Sequence, residues 1–138
     1  MEAGNRRRSR AIWLLVAWVT AWAVFSLPWT SMTSTANWER FRPPHVRAGS
    51  RLRSDHVLNF LFYVPAAPLA AALGWPVSAG VAAAAAISVT AETVQVFSHD
   101  RAPDGNDIVA NIGGAIAGAL AMLLYRRRAG KVAKFDGA

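Results

Sequence analysis

Glu92 and Gln95 close one apolar stretch of this chain, and Asp107 and Asn111 open the next. Side chains of these types can do three kinds of chemistry. Two carboxylates in unlike surroundings can act as acid and base. Carboxylate oxygens can also hold a divalent cation. Amides beside an arginine can hold an anion, because the guanidinium fork matches a phosphate or carboxylate in two places. The spacing is helical on both sides. Ser88, Glu92, Gln95 and His99 step by four, three and four, and so share one face. Asp104, Asp107, Asn111, Gly114 and Gly118 step by three, four, three and four, forming one seam that is polar at its start and small further along. Arg101 lies in the connection between the two stretches. A third helix start carries Asp55 and, one turn on, Asn59.

Several chemistries are missing from this set. With no cysteine there is no thiolate nucleophile, disulfide, iron–sulfur centre or zinc–thiolate site. Neither Asp-x-Asp nor His-Glu-x-x-His occurs, and no nucleophile stands out. The residues therefore favour binding over catalysis, with no resident metal and no cofactor expected. An intramembrane enzyme using Glu92, Asp107 and Asp55 is the alternative, with those three carboxylates on a proton or a divalent ion. A purely structural reading pairs Glu92 with Arg101 and Gln95 with Asn111 as glue. Polar contacts of that kind average only ~0.6 kcal/mol in a membrane bundle, a small return for so many ionisable groups.

The elements that must position these residues are apolar. Hydrophobic residues make up 54% of the 138, gathered into four blocks over 11–28, 56–73, 76–97 and 108–125. Each is close to the ~20 residues that cross a ~30 Å hydrocarbon core. Backbone groups in lipid must be satisfied within the segment, so the blocks read as α-helices. The expected fold is all-α, a polytopic membrane protein with a bundle of four transmembrane helices over about 11–28, 55–73, 76–97 and 107–125. Residues 1–138 form one domain, with 29–54 an external loop and 126–138 a basic cytoplasmic tail. Lipid is the expected partner. The net charge of +7 would suggest nucleic acid in a soluble protein. Here the basic residues flank apolar blocks, which points to headgroups and topology and away from nucleic acid. Four short spans are few for a transport pathway unless the chain assembles.

Four crossings place both termini on one side. Nine lysines and arginines lie near the termini, and six lie on the opposite side: Arg40, Arg42, Arg47, Arg51, Arg53 and Arg101. The positive-inside rule then makes the termini cytoplasmic. Under that topology Asp55, Asn59, Glu92, Gln95, Arg101, Asp104, Asp107 and Asn111 converge at the outer side. The first block follows Arg6, Arg7, Arg8 and Arg10 and precedes Ser34-x-Ala36, a pattern shared with cleaved signals. Its length and its Trp13, Trp18 and Trp22 favour an uncleaved anchor. The loop arginines read as a face on lipid headgroups, or as a cationic lid for an anionic ligand. In the second helix Ser54 or Asp55 is the expected cap, and Pro65 and Pro68 are expected to kink it. Gly74-Trp75-Pro76 then turns a tight hairpin. His45 and His99 read as surface residues, and His56 as an interface residue.

Asn59-x-x-Phe62-x-x-Pro65, Ser88-x-x-x-Glu92-x-x-Gln95-x-Phe97, Arg101, Asp107, Asn111 and Gly114 together resemble the VanZ-like family of membrane proteins. The resemblance covers roughly residues 55–120. Where the family often has Leu-Gly after the second-helix proline, this chain has Ala66-Ala67. The family is named for an accessory protein of glycopeptide resistance associated with teicoplanin. The resemblance implies a bacterial cell-envelope setting. With the arginines, it points to an anionic envelope lipid or peptidoglycan precursor as ligand. It supplies no reaction.

Overall fold

A computed structural model describes residues 2–29, 31–44 and 54–135, with side chains for 4–29, 31–44 and 54–129. His45, Arg47, Arg51 and Arg53 lie outside the described residues. The elements are α1 (Glu2–Ser26), a 3-10 turn (Trp38–Arg40), α2 (Ser54–Tyr63), α3 (Ala66–Ala72), α4 (Val77–Gln95) and α5 (Gly105–Phe135). Among the described residues there is no strand, only two isolated β-bridges. Three segments, Gly4–Ser26, Val77–Gln95 and Gly105–Ala129, are long and apolar enough to cross a membrane. They mark the chain as a membrane protein. Large apolar side chains such as Trp13, Leu14, Val89, Leu120 and Leu124 point outward. On the same exposed surface, Thr90 Oγ1 donates to the Ala86 carbonyl and Thr93 Oγ1 to that of Val89, both at 2.8 Å. Those hydroxyls therefore need no water.

The second apolar block departs from expectation. It forms two helices rather than one kinked helix, with Val64 and Pro65 between them. Pro65 has no N–H for the Leu61 carbonyl, and Val64 N–H bonds that carbonyl instead at 3.3 Å. At the same break the Trp18 indole of α1 donates to the Phe62 carbonyl at 2.8 Å. Pro68 falls in the first turn of α3, where a backbone donor has no helical partner to lose. Ser54 and Asp55 also move: α2 begins at Ser54, so both sit inside its first turn and neither is its cap.

The α3–α4 hairpin closes with a Schellman motif. Trp75 N–H bonds the Ala70 carbonyl at 2.9 Å and Gly74 N–H bonds that of Ala71 at 3.2 Å. Gly74 has φ +86°, a conformation that a side chain disfavours. Pro76 then caps α4.

Small residues bring the helices together. Tyr63, Ala66, Ala84 and Ala115 form the buried core, with Trp18, Trp22 and Phe62 around it. Trp18 stacks on Phe62 and meets Tyr63 edge-on, with ring centroids 6.0 and 5.8 Å apart. A Cβ on Gly80 would lie 2.6 Å from Ala67 Cα. A Cβ on Gly114 would run into the Phe60 carbonyl, and one on Gly118 into the Val64 carbonyl. The α5 stripe therefore lies backbone-to-backbone against α2 and its break.

Two helices run beyond their expected ends. α1 starts at Glu2, well before residue 11, and α5 continues to Phe135 through the segment expected as a tail. Arginine is a strong helix former, so Arg6–Arg8 and Arg126–Arg128 extend the helices they were expected to flank.

The first loop is a strap. Thr33 N–H bonds the Phe97 carbonyl at 2.7 Å, and His99 N–H bonds that of Ser31 at 3.0 Å. Further along, Arg42 N–H bonds the Pro103 carbonyl at 3.0 Å, and Gly105 N–H bonds that of Arg42 at 2.7 Å. Residues 31–44 thus lie along the α4–α5 connection.

Candidate functional site

Four helix ends meet beneath this strap. They are the C-terminal ends of α1 and α4 and the N-terminal ends of α2 and α5. Between them is a partly enclosed cavity of about 780 Å³. Asp55, Asn59, Glu92, Gln95, Arg101, Asp104, Asp107 and Asn111 all line it. Gly114 and Gly118 lie farther along α5, in the contact with α2.

Hydrogen bonds fix the floor. Asp104 precedes α5, and its Oδ1 accepts the Asn106 N–H at 2.9 Å, as an N-cap does. The Asp104 N–H in turn donates to Glu92 Oε2 at 2.6 Å. That short bond ties α4 to the start of α5. Asn111 Nδ2 donates to Ser88 Oγ at 2.9 Å, joining the same two helices one turn deeper. Gln95 Nε2 donates to the Ser26 carbonyl at 3.2 Å, joining α4 to the end of α1. The pairs read from spacing, Glu92 with Arg101 and Gln95 with Asn111, are therefore replaced by other partners. The depth of each helix end decides the pairing: the Asp104 N–H reaches Glu92, while Arg101 is exposed above it.

On the α2 side, both Asn59 and His56 interact with the Asp107 carboxylate. His56 Nε2 lies 3.5 Å from Asp107 Oδ1. Asp55 is exposed at the mouth, with its Oδ1 3.4 Å from Ser54 Oγ. Two buried acceptors at this level make no hydrogen bond, Asp107 Oδ1 and Asn111 Oδ1.

Charge is layered. Glu92, Asp104 and Asn111 are only 5, 9 and 5% exposed. Arg42 and Arg101 are exposed at the rim, with Arg40 half-buried beside them. Arg40 Nη1 donates to the Ser98 and His99 carbonyls, both at 2.8 Å, so part of that guanidinium holds the strap in place. Carboxylates outnumber arginines around the whole cavity, yet Glu92 and Asp104 are bound to backbone N–H groups. An anion would therefore meet its cations at the rim. The lateral wall is apolar, with Phe25 of α1 and Leu58 of α2, which are 68 and 64% exposed. Among the described residues, no group of three or more His, Asp and Glu side chains is placed to hold a metal ion. Asp55, Glu92 and Asp107 thus form no such set.

Spacing alone does not single out His56, Tyr63 or Ser26 as cavity residues, and it gives Arg40 only as one of the loop arginines. His56 had a usable signal, since it precedes Asn59 by three and so shares its face. Ser26 contributes a carbonyl, for which side-chain type carries no signal. His99, expected at the surface, is exposed, and its carbonyl receives Arg40.

A family model described as VanZ/LLP1 matches residues 6–126, a span that contains every residue of the cavity. Comparison with curated proteins and with solved structures finds no match.

Proposed function

The chain belongs to the VanZ/LLP1 family, and from that premise we propose that it is a multi-pass protein of the bacterial cell membrane whose cavity binds an anionic envelope amphiphile. The ligand class is a lipid-linked phosphate or a carboxylate-bearing peptidoglycan precursor. One observation carries the reading: a cavity with arginines at its rim and exposed Phe25 and Leu58 on its flank. Arg42 and Arg101 would grip the anion through bidentate hydrogen bonds. Phe25 and Leu58 would face the hydrocarbon part of the same molecule.

The broken α2–α3 segment supplies a fourth crossing in this reading. From Ser54 to Ala72 it rises roughly 28 Å at 1.5 Å per residue, close to the ~30 Å hydrocarbon thickness. The Trp18 bond to the Phe62 carbonyl supports burial of the break in lipid, where an unmet carbonyl is costly. Four crossings leave both termini on the cytoplasmic side and the cavity on the outer side, in line with the basic residues near the termini. In a cell, the reading ties loss of the protein to altered sensitivity to envelope-directed glycopeptides such as teicoplanin.

The test is lipid retention by the purified protein, measured by native mass spectrometry in detergent. Phosphatidic acid is expected to be retained several-fold more than diacylglycerol, and Arg101→Gln with Arg42→Gln to remove the difference. Equal retention of the two lipids by the wild type contradicts the proposal.

A further inference from the structure

The floor of the cavity specifies more than an anion. Asn111 is 5% exposed and lines the cavity. Its Nδ2 is committed to Ser88 Oγ, and its Oδ1 accepts nothing among the described residues. Asp107 Oδ1, one turn nearer the mouth, also accepts no hydrogen bond, with the His56 ring 3.5 Å away. Both atoms are acceptors on one face of α5, and Asn111 Oδ1 is the one with no donor beside it, since Asp107 Oδ1 faces His56 Nε2. A buried acceptor without a donor is strongly disfavoured, so Asn111 Oδ1 calls for a partner that carries an N–H or O–H group, while the Tyr63 hydroxyl, also unpartnered on the cavity lining, can either donate or accept.

Read with the rim, this gives an ordered pattern. Guanidinium donors stand at the mouth on Arg42 and Arg101, and acceptors stand at the floor on Asp107 and Asn111. Resting on the reading above, we infer that the site takes a lipid headgroup with two features: a phosphate held at the rim and a hydrogen-bond donor, best an ammonium, inserted to the floor. A headgroup whose nitrogen is fully methylated carries the same charges but no donor. It would leave the Asn111 acceptor unmet. The exposed Phe25 and Leu58 beside the cavity commit the ligand to a lipid rather than a free headgroup, because they offer apolar surface where acyl chains would leave.

The test compares phosphatidylethanolamine with phosphatidylcholine, using diacylglycerol as the phosphate-free reference. Each lipid is added to the purified full chain in detergent, and retained lipid is counted by native mass spectrometry. Phosphatidylethanolamine is expected to exceed phosphatidylcholine by roughly tenfold, the ratio expected of one charge-assisted hydrogen bond. Asn111→Leu should bring the two lipids level. Ser88→Ala, which removes the Nδ2 partner but leaves Oδ1, should keep the preference and so separates folding damage from loss of the acceptor. Equal retention of both phospholipids above diacylglycerol would overturn the donor inference and leave the phosphate reading standing. Equal retention of all three would overturn both. A preference that survives Asn111→Leu and Asp107→Asn would place the donor elsewhere and also overturn the inference. Equal retention of glycerophosphoethanolamine and phosphatidylethanolamine would overturn the assignment to a lipid.

Discussion

One stripe of α5 meets two different environments. Toward its start, Asp104, Asp107 and Asn111 line the cavity. Two and three turns on from Asp107, Gly114 and Gly118 touch the backbone of α2 and the Val64 carbonyl at its break. The periodicity is the same in both halves, and side-chain size decides which half is shut. Where the stripe is glycine, α2 approaches to backbone contact. Where it carries carboxylate and amide groups, the helices stand apart and leave the cavity.

This contrast can be broken most severely in the closed half. Gly118→Leu and Gly114→Val put side-chain atoms onto backbone carbonyls that cannot rotate away. Each is expected to lower stability by the upper part of the ~1–3 kcal/mol range for overpacking, read by thermal unfolding in detergent. Gly113→Ala is the neighbouring control. Its new Cβ would sit 3.6 Å from the Phe60 ring, an ordinary contact. Its midpoint is expected to stay level or rise slightly, because alanine is the better helix former.

Next in size is the join between the halves. Glu92→Ala leaves the Asp104 N–H buried without its acceptor and is expected to cost ~1–3 kcal/mol. Glu92→Gln keeps an oxygen that can accept that N–H, so its loss should be clearly smaller in the same assay. Equal losses would mean that the negative charge, not the hydrogen bond, holds the start of α5.

The smallest effect on stability is expected at the rim. Arg101 is exposed, so Arg101→Gln should change stability by no more than ~0.5 kcal/mol while lowering retention of phosphatidic acid. A rim variant that unfolds the protein would show that the cavity is a structural joint.

The difference between the halves was largely visible in the sequence. Steps of three and four from Asp104 to Gly118 place five residues on one face, and the four apolar blocks bring their polar ends to one level. Finer features had weaker signals. Proline within an apolar block predicts a disturbance, but whether it kinks or breaks the helix depends on a donor elsewhere. Here that donor is Trp18, 44 residues from Phe62. Partners within the polar cluster depend on how far each helix end reaches over its neighbour, which periodicity does not encode. The strap depends on backbone groups, from Thr33 to Gly105, whose pairing is independent of side-chain type. Arg40 therefore read as one of the loop arginines over headgroups or a ligand, whereas its Nη1 holds two carbonyls. The runs of arginine read as ends of helices because charge marks a membrane boundary, while the helices themselves continue through them.

The absence of native cysteine makes the cavity itself measurable. Leu58→Cys places a single thiol at the apolar flank of the mouth, where the native side chain is exposed. Its labelling rate with a water-soluble maleimide, in protein held in detergent, reports whether the cavity is filled. Phosphatidic acid is expected to slow labelling several-fold where diacylglycerol does not, and Arg42→Gln with Arg101→Gln should restore the fast rate. Identical labelling rates with both lipids, in a protein whose helicity is unchanged, would contradict the claim that this cavity is an anionic headgroup site.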